Sequence, residues 1–390
     1  MKKSSSILYI LILLLGCIEP YEFENIDTIS ALVVDSSLTD VQKAHYVKLS
    51  SSLSLDEVSD IPVVGATVWI ESDSQGIITL DEVEPGVYLT DSSFAGIVGT
   101  NYTLFITTPD GNEYKSTTEV MLPPAPIDSV YGQFKVFPST QDGTTTRGVQ
   151  FLVNAQGLPN RDSFYRYEVA QDYEIKLPYV TPVKWIDQIN DFTERDTLLY
   201  LCYQKAPPLD ILITTTGGQS SNIVSEFPIV VVEEDDPYLL TKYSLNVTQF
   251  SISSNAFQYY KALRENNEAA GTFFDKQKGA IYSNIKSTNS PSLPVLGYFE
   301  VAGTSTYRNI YTPMLYADEG FSPIQVYGES CAFASVVDTV TVAQLRSGIV
   351  NMENRDIFGF SMDGSSAYLA PKTCTDCRNY GSLEKPGFWN

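Results

Sequence analysis

The sequence predicts a mostly β protein made of two β-rich blocks and a single helix. Short apolar stretches recur along the chain, and in several of them apolar and polar residues alternate as they do in half-buried strands. Turn signals, such as Pro85-Gly86 and Asp110-Gly111, separate these stretches. One segment has helical spacing instead. Together these observations predict sheets packed in layers around apolar cores.

The N-terminal sequence is typical of an export signal, and we do not expect it to form part of the folded protein. Two lysines precede an apolar run from Ile7 to Leu15, which is too short to span a bilayer but has the length of a secretory signal. The run stops at a small residue followed by Cys17. We therefore expect residues 1–16 to be a signal peptide and residues 17–25 to be a lipidated tether.

The residues that end this run, Leu-Leu-Gly-Cys, resemble the lipobox of bacterial lipoproteins. The resemblance implies that the thiol of Cys17 receives a diacylglycerol and that its freed amine receives a further acyl chain, such as palmitate. Two or more acyl chains hold a protein firmly on a membrane. An ordinary signal peptide with a chance cysteine is the alternative.

The residues that follow Cys17 indicate where in the cell the protein is located. Ile18 follows Cys17, not the aspartate that retains lipoproteins at the inner membrane in enterobacteria. The spaced acids Glu19, Glu22 and Glu24 resemble a signal for export to the cell surface. The expected location is the outer membrane, at the cell surface, although the leaflet stays open.

Composition limits the possible partners. Of the 390 residues, 43% are hydrophobic, so the chain can bury a sizeable core, and its formal net charge is −22. Such acidity argues against nucleic acid and against direct adsorption to anionic lipid. We expect no nucleic-acid partner, and a membrane contact made only through the lipid on Cys17.

Four cysteines remain beyond the tether, namely Cys202, Cys331, Cys374 and Cys377. An even number in an exported protein predicts two disulfides, for which three pairings are possible. The last two cysteines have the spacing of a redox pair or of half a zinc site. Zinc would need further ligands, and the only histidine, His45, lies far away in the sequence.

The predicted domains divide near a proline-rich stretch. Residues 26–122 contain "GATV", "PGVY" and "NYTLFI", a pattern that resembles prealbumin-like modules, so we expect a prealbumin- or Ig-like β-sandwich. Residues 121–130 carry the prolines and predict an extended linker or a crossing strand. Residues 128–390 predict a larger β-rich domain with one helix near residues 255–270.

The sequence offers few candidates for chemistry. Hydrolysis by a triad needs a histidine base, and the only histidine lies in a strand-like segment. We predict no catalytic residue, no metal and no cofactor. Weak candidates for a cation site form one acidic run that lacks the D-x-D-x-D-G spacing and is typical of a solvated loop: Glu233, Glu234, Asp235 and Asp236. The segments "SPIQVYGESCAF" and "RNYGSLEKPGFW" are the first places to look for a binding surface.

Several segments, taken in order, resemble one family of Bacteroidota outer-membrane lipoproteins, domain-of-unknown-function family 4249. They include "ALVVDSSLTD", "PVVGATVWIES", "PPAPIDSVY", "YSLNVTQFSISSNAFQYYKALREN" and "CTDCRNYGSLEKPGFW". Members of that family are commonly encoded beside TonB-dependent transporters. The resemblance therefore implies a non-enzymatic accessory or substrate-capture partner of such a transporter, with an unidentified ligand. A surface adhesin or structural lipoprotein, and a surface hydrolase acting through paired carboxylates, stay open as alternatives.

Overall fold

The computed structural model describes residues 30–52, 61–138, 145–159, 161–218, 221–269, 281–324, 331 and 337–389. The signal sequence, the tether and Cys17 lie outside these residues. The described chain is mostly β, which confirms the predicted fold class. None of its described helices is long and apolar enough to cross a membrane.

The first nine strands form an N-terminal sandwich. Alternation places Tyr102, Leu104 and Ile106 in its core, each at most 1% exposed, as the sequence predicts. Gly111 completes the following turn with a φ of 84°, in the region that favours glycine. The strands are β1 (Leu32–Thr39), β2 (Tyr46–Ser51), β3 (Ile61–Pro62), β4 (Thr67–Ser72), β5 (Gly76–Glu84), β6 (Val87–Leu89), β7 (Asn101–Thr107), β8 (Glu113–Ser116) and β9 (Glu119–Val120).

The next segment forms a second β unit with one long helix. Its elements are β10 (Ile127–Pro138), β11 (Thr145–Gln156), β12 (Phe164–Lys176), β13 (Val183–Ile186), β14 (Asp191–Glu194), β15 (Leu201–Lys205), β16 (Leu212–Thr215), β17 (Ile223–Glu233), β18 (Tyr243–Ile252), α1 (Ser254–Ala269), β19 (Ile285–Ser287) and β20 (Val295–Tyr311). Helix α1 confirms the predicted helix, and the described chain has two further short α-helices near the C-terminus that the sequence did not predict. Strands β10, β11 and β17 make a separate sheet, which packs on the inner side of β12 and β18 around a common apolar core.

The remaining residues form a small C-terminal module. It contains β21 (Asp338–Thr341), α2 (Val342–Arg346), β22 (Arg355–Phe360), β23 (Ser366–Pro371) and α3 (Lys372–Thr375). Short 3₁₀ helices span Asp187–Ile189, Pro313–Glu319 and Cys377–Asn379. Strands β13 and β14 pair with each other, and their apolar residues pack on this module.

The structure decides between the three possible disulfide pairings. Cys202 of β15 is bonded to Cys377, and Cys331 is bonded to Cys374. The two cysteines of the C-x-x-C sequence are therefore bonded to different distant partners, not to each other. Both bonds tie the end of the chain back onto earlier residues.

Strand β20 joins the two β units. Residues 295–302 pair in parallel with β1, and residues 303–311 pair antiparallel with β18. Among the described residues, the resulting continuous sheet has the order β15–β12–β18–β20–β1–β2–β6–β5–β4–β7–β8–β19. Strand β19 also returns to the N-terminal sandwich, where it pairs with β8. The sandwich thus contains strands from both sides of the predicted boundary.

A glycine marks the place where β20 changes partners. The linker between β9 and β10 crosses β20 there, and a Cβ on Gly303 would overlap main-chain atoms of Leu122 and Pro124. The linker is held further by the side chain of Gln249, whose Nε2 donates to the carbonyl of Ala125 at 2.8 Å. The proline-rich stretch is therefore packed against the sheet junction.

The side chain of Asn284 replaces a missing strand partner on the other edge of β20. Its Nδ2 donates to the carbonyl oxygen of Phe299 at 3.1 Å, and the N–H of Phe299 donates to its Oδ1 at 2.9 Å. Both backbone groups of a buried residue are thereby satisfied. This amide links β20 to the segment leading into β19 and closes the sandwich.

Candidate functional site

The outer face of strands β12, β18 and β20 is polar and largely open. Residues directly opposite each other on antiparallel strands share a face, and the register places one row of three residues beside a second row on this surface. We call it the outer trough: Glu168, Thr248 and Thr306 in one row, and Ala170, Asn246 and Arg308 in the next. At about 3.3 Å per residue, the stretch from Arg166 to Asp172 is ~20 Å long.

The inner face of the same strands fixes the trough's floor. Tyr165, Tyr167 and Gln171 of β12 alternate with the trough residues and are at most 4% exposed. The hydroxyl of Tyr167 donates to Gln249 at 2.8 Å, and Tyr243 donates to Gln171. Because these inward side chains are packed and hydrogen-bonded, the floor is held in position by the core beneath it.

A buried ion pair and helix α1 form one end wall of the trough. The guanidinium of Arg166 donates two hydrogen bonds to the carboxylate of Glu300, at 2.7 Å and 2.6 Å. Its centre lies 4.1 Å from the ring of Phe250 and 5.2 Å from the ring of Tyr260 on α1. Burial raises the pKa of Tyr260 well above its ordinary value, and the negative charge of Glu300 adds to this effect. The Tyr260 hydroxyl therefore stays protonated.

The C-terminal segment forms the opposite wall. The guanidinium of Arg308 lies 3.7 Å from the ring centre of Phe388. Trp389 is 3% exposed, and its indole N–H donates to Glu174 at 3.3 Å. Its ring also meets that of Tyr203 edge to face at 5.4 Å. The segment "RNYGSLEKPGFW", chosen from the sequence as a place to look for a binding surface, thus borders the trough.

A cleft of about 430 Å³ opens in the side of the trough. Strand β12 pairs with β16 through Tyr167 and with β15 from Asp172 onward, and the N–H of Ala206 still donates to the carbonyl of Gln171, so among the described residues a gap remains at residues 168–170. The chain between β15 and β16 begins with Ala206 and carries two consecutive prolines. Proline has no N–H to donate to a strand edge, so this loop cannot continue the ladder. The cleft is lined by β12, by the loop and by Tyr260.

The acidic run that the sequence singled out lies away from this trough, where β17 ends. Glu234 forms an ion pair with Arg147 at 2.9 Å, and Asp236 accepts a hydrogen bond from the N–H of Glu233 at 2.8 Å. Burial, followed by the neighbouring acids, raises the pKa of Glu233. Asp235 belongs to the same turn. In the described parts of the chain, no three potential metal ligands gather at one point.

The only histidine is a structural residue of the N-terminal sandwich. The N–H of Thr39 donates to Nδ1 of His45 at 3.4 Å, and Nε2 lies 3.1 Å from the carbonyl of Val41. This arrangement fits the neutral ring with its proton on Nε2. Burial, with a smaller effect of Lys43, lowers the pKa of His45 to about 4. The other aromatic segment, "SPIQVYGESCAF", lies mostly outside the described residues.

Sequence reasoning missed the residues that shape the trough. Arg166 and Glu300 are far apart in the chain, and no local pattern connects them. The interrupted edge of β12 did leave a signal. Two prolines in a row, Pro207 and Pro208, interrupt a region of strand character and could have indicated a break in the sheet.

The fold and the trough define a class: a β-rich protein of two joined units that presents a walled polar sheet face. The chain matches the family model described as "Domain of unknown function (DUF4249)" over residues 18–308, and it belongs to this family. The match ends within β20, so the C-terminal module lies beyond it. No curated protein matches the chain.

Proposed function

We propose that this protein is a lipid-anchored outer-membrane protein that acts as a non-enzymatic accessory or substrate-capture partner of a TonB-dependent transporter. The anchor is the lipid expected on Cys17. The outer trough is the surface that meets the transporter or its substrate. The observation that carries the proposal is this ~20 Å polar sheet face, which is walled at both ends and supported by a packed core.

The contacts at the two walls support a binding role. Arg166 and Arg308 are held by aromatic rings and by acidic partners, so the two walls of the trough are fixed before any ligand arrives. Between them, Thr248, Thr306 and Asn246 offer hydroxyl and amide groups that both donate and accept hydrogen bonds. Polar groups fixed in advance bind with a smaller loss of conformational entropy.

The partner is tested by affinity purification of the native lipoprotein from outer membranes. We expect a large transporter barrel to co-purify with the wild-type protein. Thr248→Arg, which places a long side chain on the trough floor, should reduce the recovered barrel. Thr67→Arg, at an exposed strand position of the N-terminal sandwich, is the matched control and should leave the amount of recovered barrel unchanged. If no barrel co-purifies with the wild-type protein, the proposal of a transporter partner is overturned and the adhesin alternative is favoured.

The anchor is tested separately by mass spectrometry of the mature N-terminus. We expect a chain that begins at Cys17 and carries acyl groups on it. Cys17→Ser should prevent both lipidation and recovery in the membrane fraction, because the thiol is the acceptor. An unmodified thiol at Cys17 in the wild-type protein overturns the anchoring.

A further inference from the structure

The direction of the main-chain groups of β12 follows from its neighbours. The carbonyl of Ser163 accepts from the N–H of Thr216 at 3.0 Å, and the carbonyl of Gln171 accepts from the N–H of Ala206 at 3.0 Å. Both partners lie on the side of β15 and β16. Since these groups alternate along a strand, Val169 also directs its N–H and carbonyl to that side.

Val169 lies within the gap between the two neighbouring strands. None of the described residues forms a backbone hydrogen bond with it on this side. Its side chain packs on the core of the second unit, yet the residue lines the 430 Å³ cleft. By the alternation along β12, Val169 therefore places a main-chain donor and acceptor at the cleft, with the spacing that an antiparallel strand uses.

The charges around the cleft indicate what it accepts. The side chain of Glu168 is 61% exposed, and Asp210 of the proline loop is exposed at the opposite side. Arg166, the cation in the lining, already has two carboxylate partners, Glu300 and Glu168. An occupant that adds a positive charge next to Glu168 is therefore favoured.

We propose that the cleft accepts a short extended peptide segment that pairs with Val169 as an added strand and carries a basic residue opposite Glu168. This mode of recognition draws affinity from main-chain hydrogen bonds and specificity from alternate side chains. In an antiparallel register, the residue facing Val169 exchanges both bonds with it, and the next residue toward the C-terminus lies opposite Glu168. A lysine or arginine at that next position meets the carboxylate.

The test uses the detergent-solubilised full-length lipoprotein and the probe acetyl-Ala-Val-Lys-amide. Binding should slow hydrogen exchange of the Val169 amide, followed by NMR on the ¹⁵N-labelled protein. Acetyl-Ala-Val-Glu-amide should bind about fivefold more weakly because it loses the charge pair. N-methylation of the valine amide should also weaken binding about fivefold, because it removes one of the two main-chain bonds.

Variants of the protein test the charge assignment. Glu168→Lys should reverse the preference, so that the glutamate peptide binds more tightly than the lysine peptide, and Glu168→Gln should abolish the preference. Glu84→Lys, at an exposed position of β5, is the matched control and should leave it unchanged. Failure of the lysine peptide to protect Val169, or equal binding of the N-methylated probe, overturns the inference. The peptide inference rests on the binding role proposed for the trough. The peptide assay contains no transporter, so failure of the peptide to bind is distinguishable from failure of a transporter to co-purify.

Discussion

Arg166 and Glu300 form a two-bond ion pair between strands that are not neighbours in sequence, with N–O distances of 2.7 Å and 2.6 Å. Glu300 is fully buried and lies on the half of β20 that pairs with the N-terminal sandwich. Arg166 lies on β12 of the second unit. The pair therefore links the two units next to the point where β20 passes between them, and it holds one wall of the trough.

The same guanidinium has a buried and an exposed carboxylate partner, which allows a matched comparison. Glu300→Gln should lower the free energy of unfolding by about 3–5 kcal/mol because it removes the buried partner of Arg166 and leaves only the exposed Glu168. Glu168→Gln, which removes the exposed partner, should cost less than about 1 kcal/mol. Urea denaturation measures both. Equal losses in the two variants would show that burial does not set the strength of this pair.

The crossing of the linker over β20 predicts a strict requirement for glycine at position 303. Gly303→Ala should destabilise the protein by about 1–3 kcal/mol, since the added methyl group overlaps two segments of main chain. Gly387→Ala is the control, because its Cβ would meet no atom within 4 Å. Thermal unfolding of both variants checks the prediction. A melting temperature of Gly303→Ala equal to that of the control would contradict the packing at this junction.

We expect the buried His45 to contribute to the pH dependence of the free energy of unfolding. The pKa of His45 is lowered from 6.5 to about 4 in the folded protein, so the folded state favours the neutral ring. Its contribution is complete above pH 6.5 and is lost as the pH falls from 6.5 toward 4. The loss amounts to at most about 3 kcal/mol.

A variant isolates this contribution from that of the carboxylates. His45→Gln should show a flatter dependence of unfolding free energy on pH between 4 and 6.5 than the wild type. The carboxylates are shared by both proteins and cancel in the comparison. As His45 is the only histidine, its ring protons can also be titrated directly by NMR. Parallel stability curves, or a ring that titrates near 6.5, would refute the assignment.

We expect the disulfide between Cys202 and Cys377 to hold the C-terminal wall of the trough in place. Replacing both cysteines by alanine should cost about 2–5 kcal/mol and release the segment that carries Trp389. Its fluorescence should shift to the red, and trypsin should cut faster after Arg378. Replacing Cys331 and Cys374 is the control and should leave Trp389 buried. Unchanged fluorescence in the first double variant would show that packing alone holds the wall.

Local patterns in the sequence were sufficient for several elements. The hairpin of β7 and β8 follows from alternating apolar residues and the turn at Asp110-Gly111, and helix α1 follows from its spacing and its serine-rich start. In both cases the signal lies within one stretch of chain. The number of disulfides followed in the same way from an even count of cysteines, whereas their pairing did not.

The trough could not be predicted, because its parts come from distant segments. Tyr260, Glu300 and Phe388 each have an ordinary local setting, and only the fold brings them near Arg166 and Arg308. That no described residue pairs with the main chain of Val169 on one side depends on where β15 and β16 end. The sequence around Val169 carries no signal that a neighbouring strand is absent.

The sequence by itself determined the fold class, the helix, the turns and the residues able to form disulfides, because each depends on short-range periodicity or on composition. Tertiary structure alone decided that β20 is shared by both units, that Gly303 marks the crossing, and that a polar face with two walls lies beside the junction. The physical reason is that strand pairing and ion-pair partners are chosen by long-range packing, which no single segment encodes.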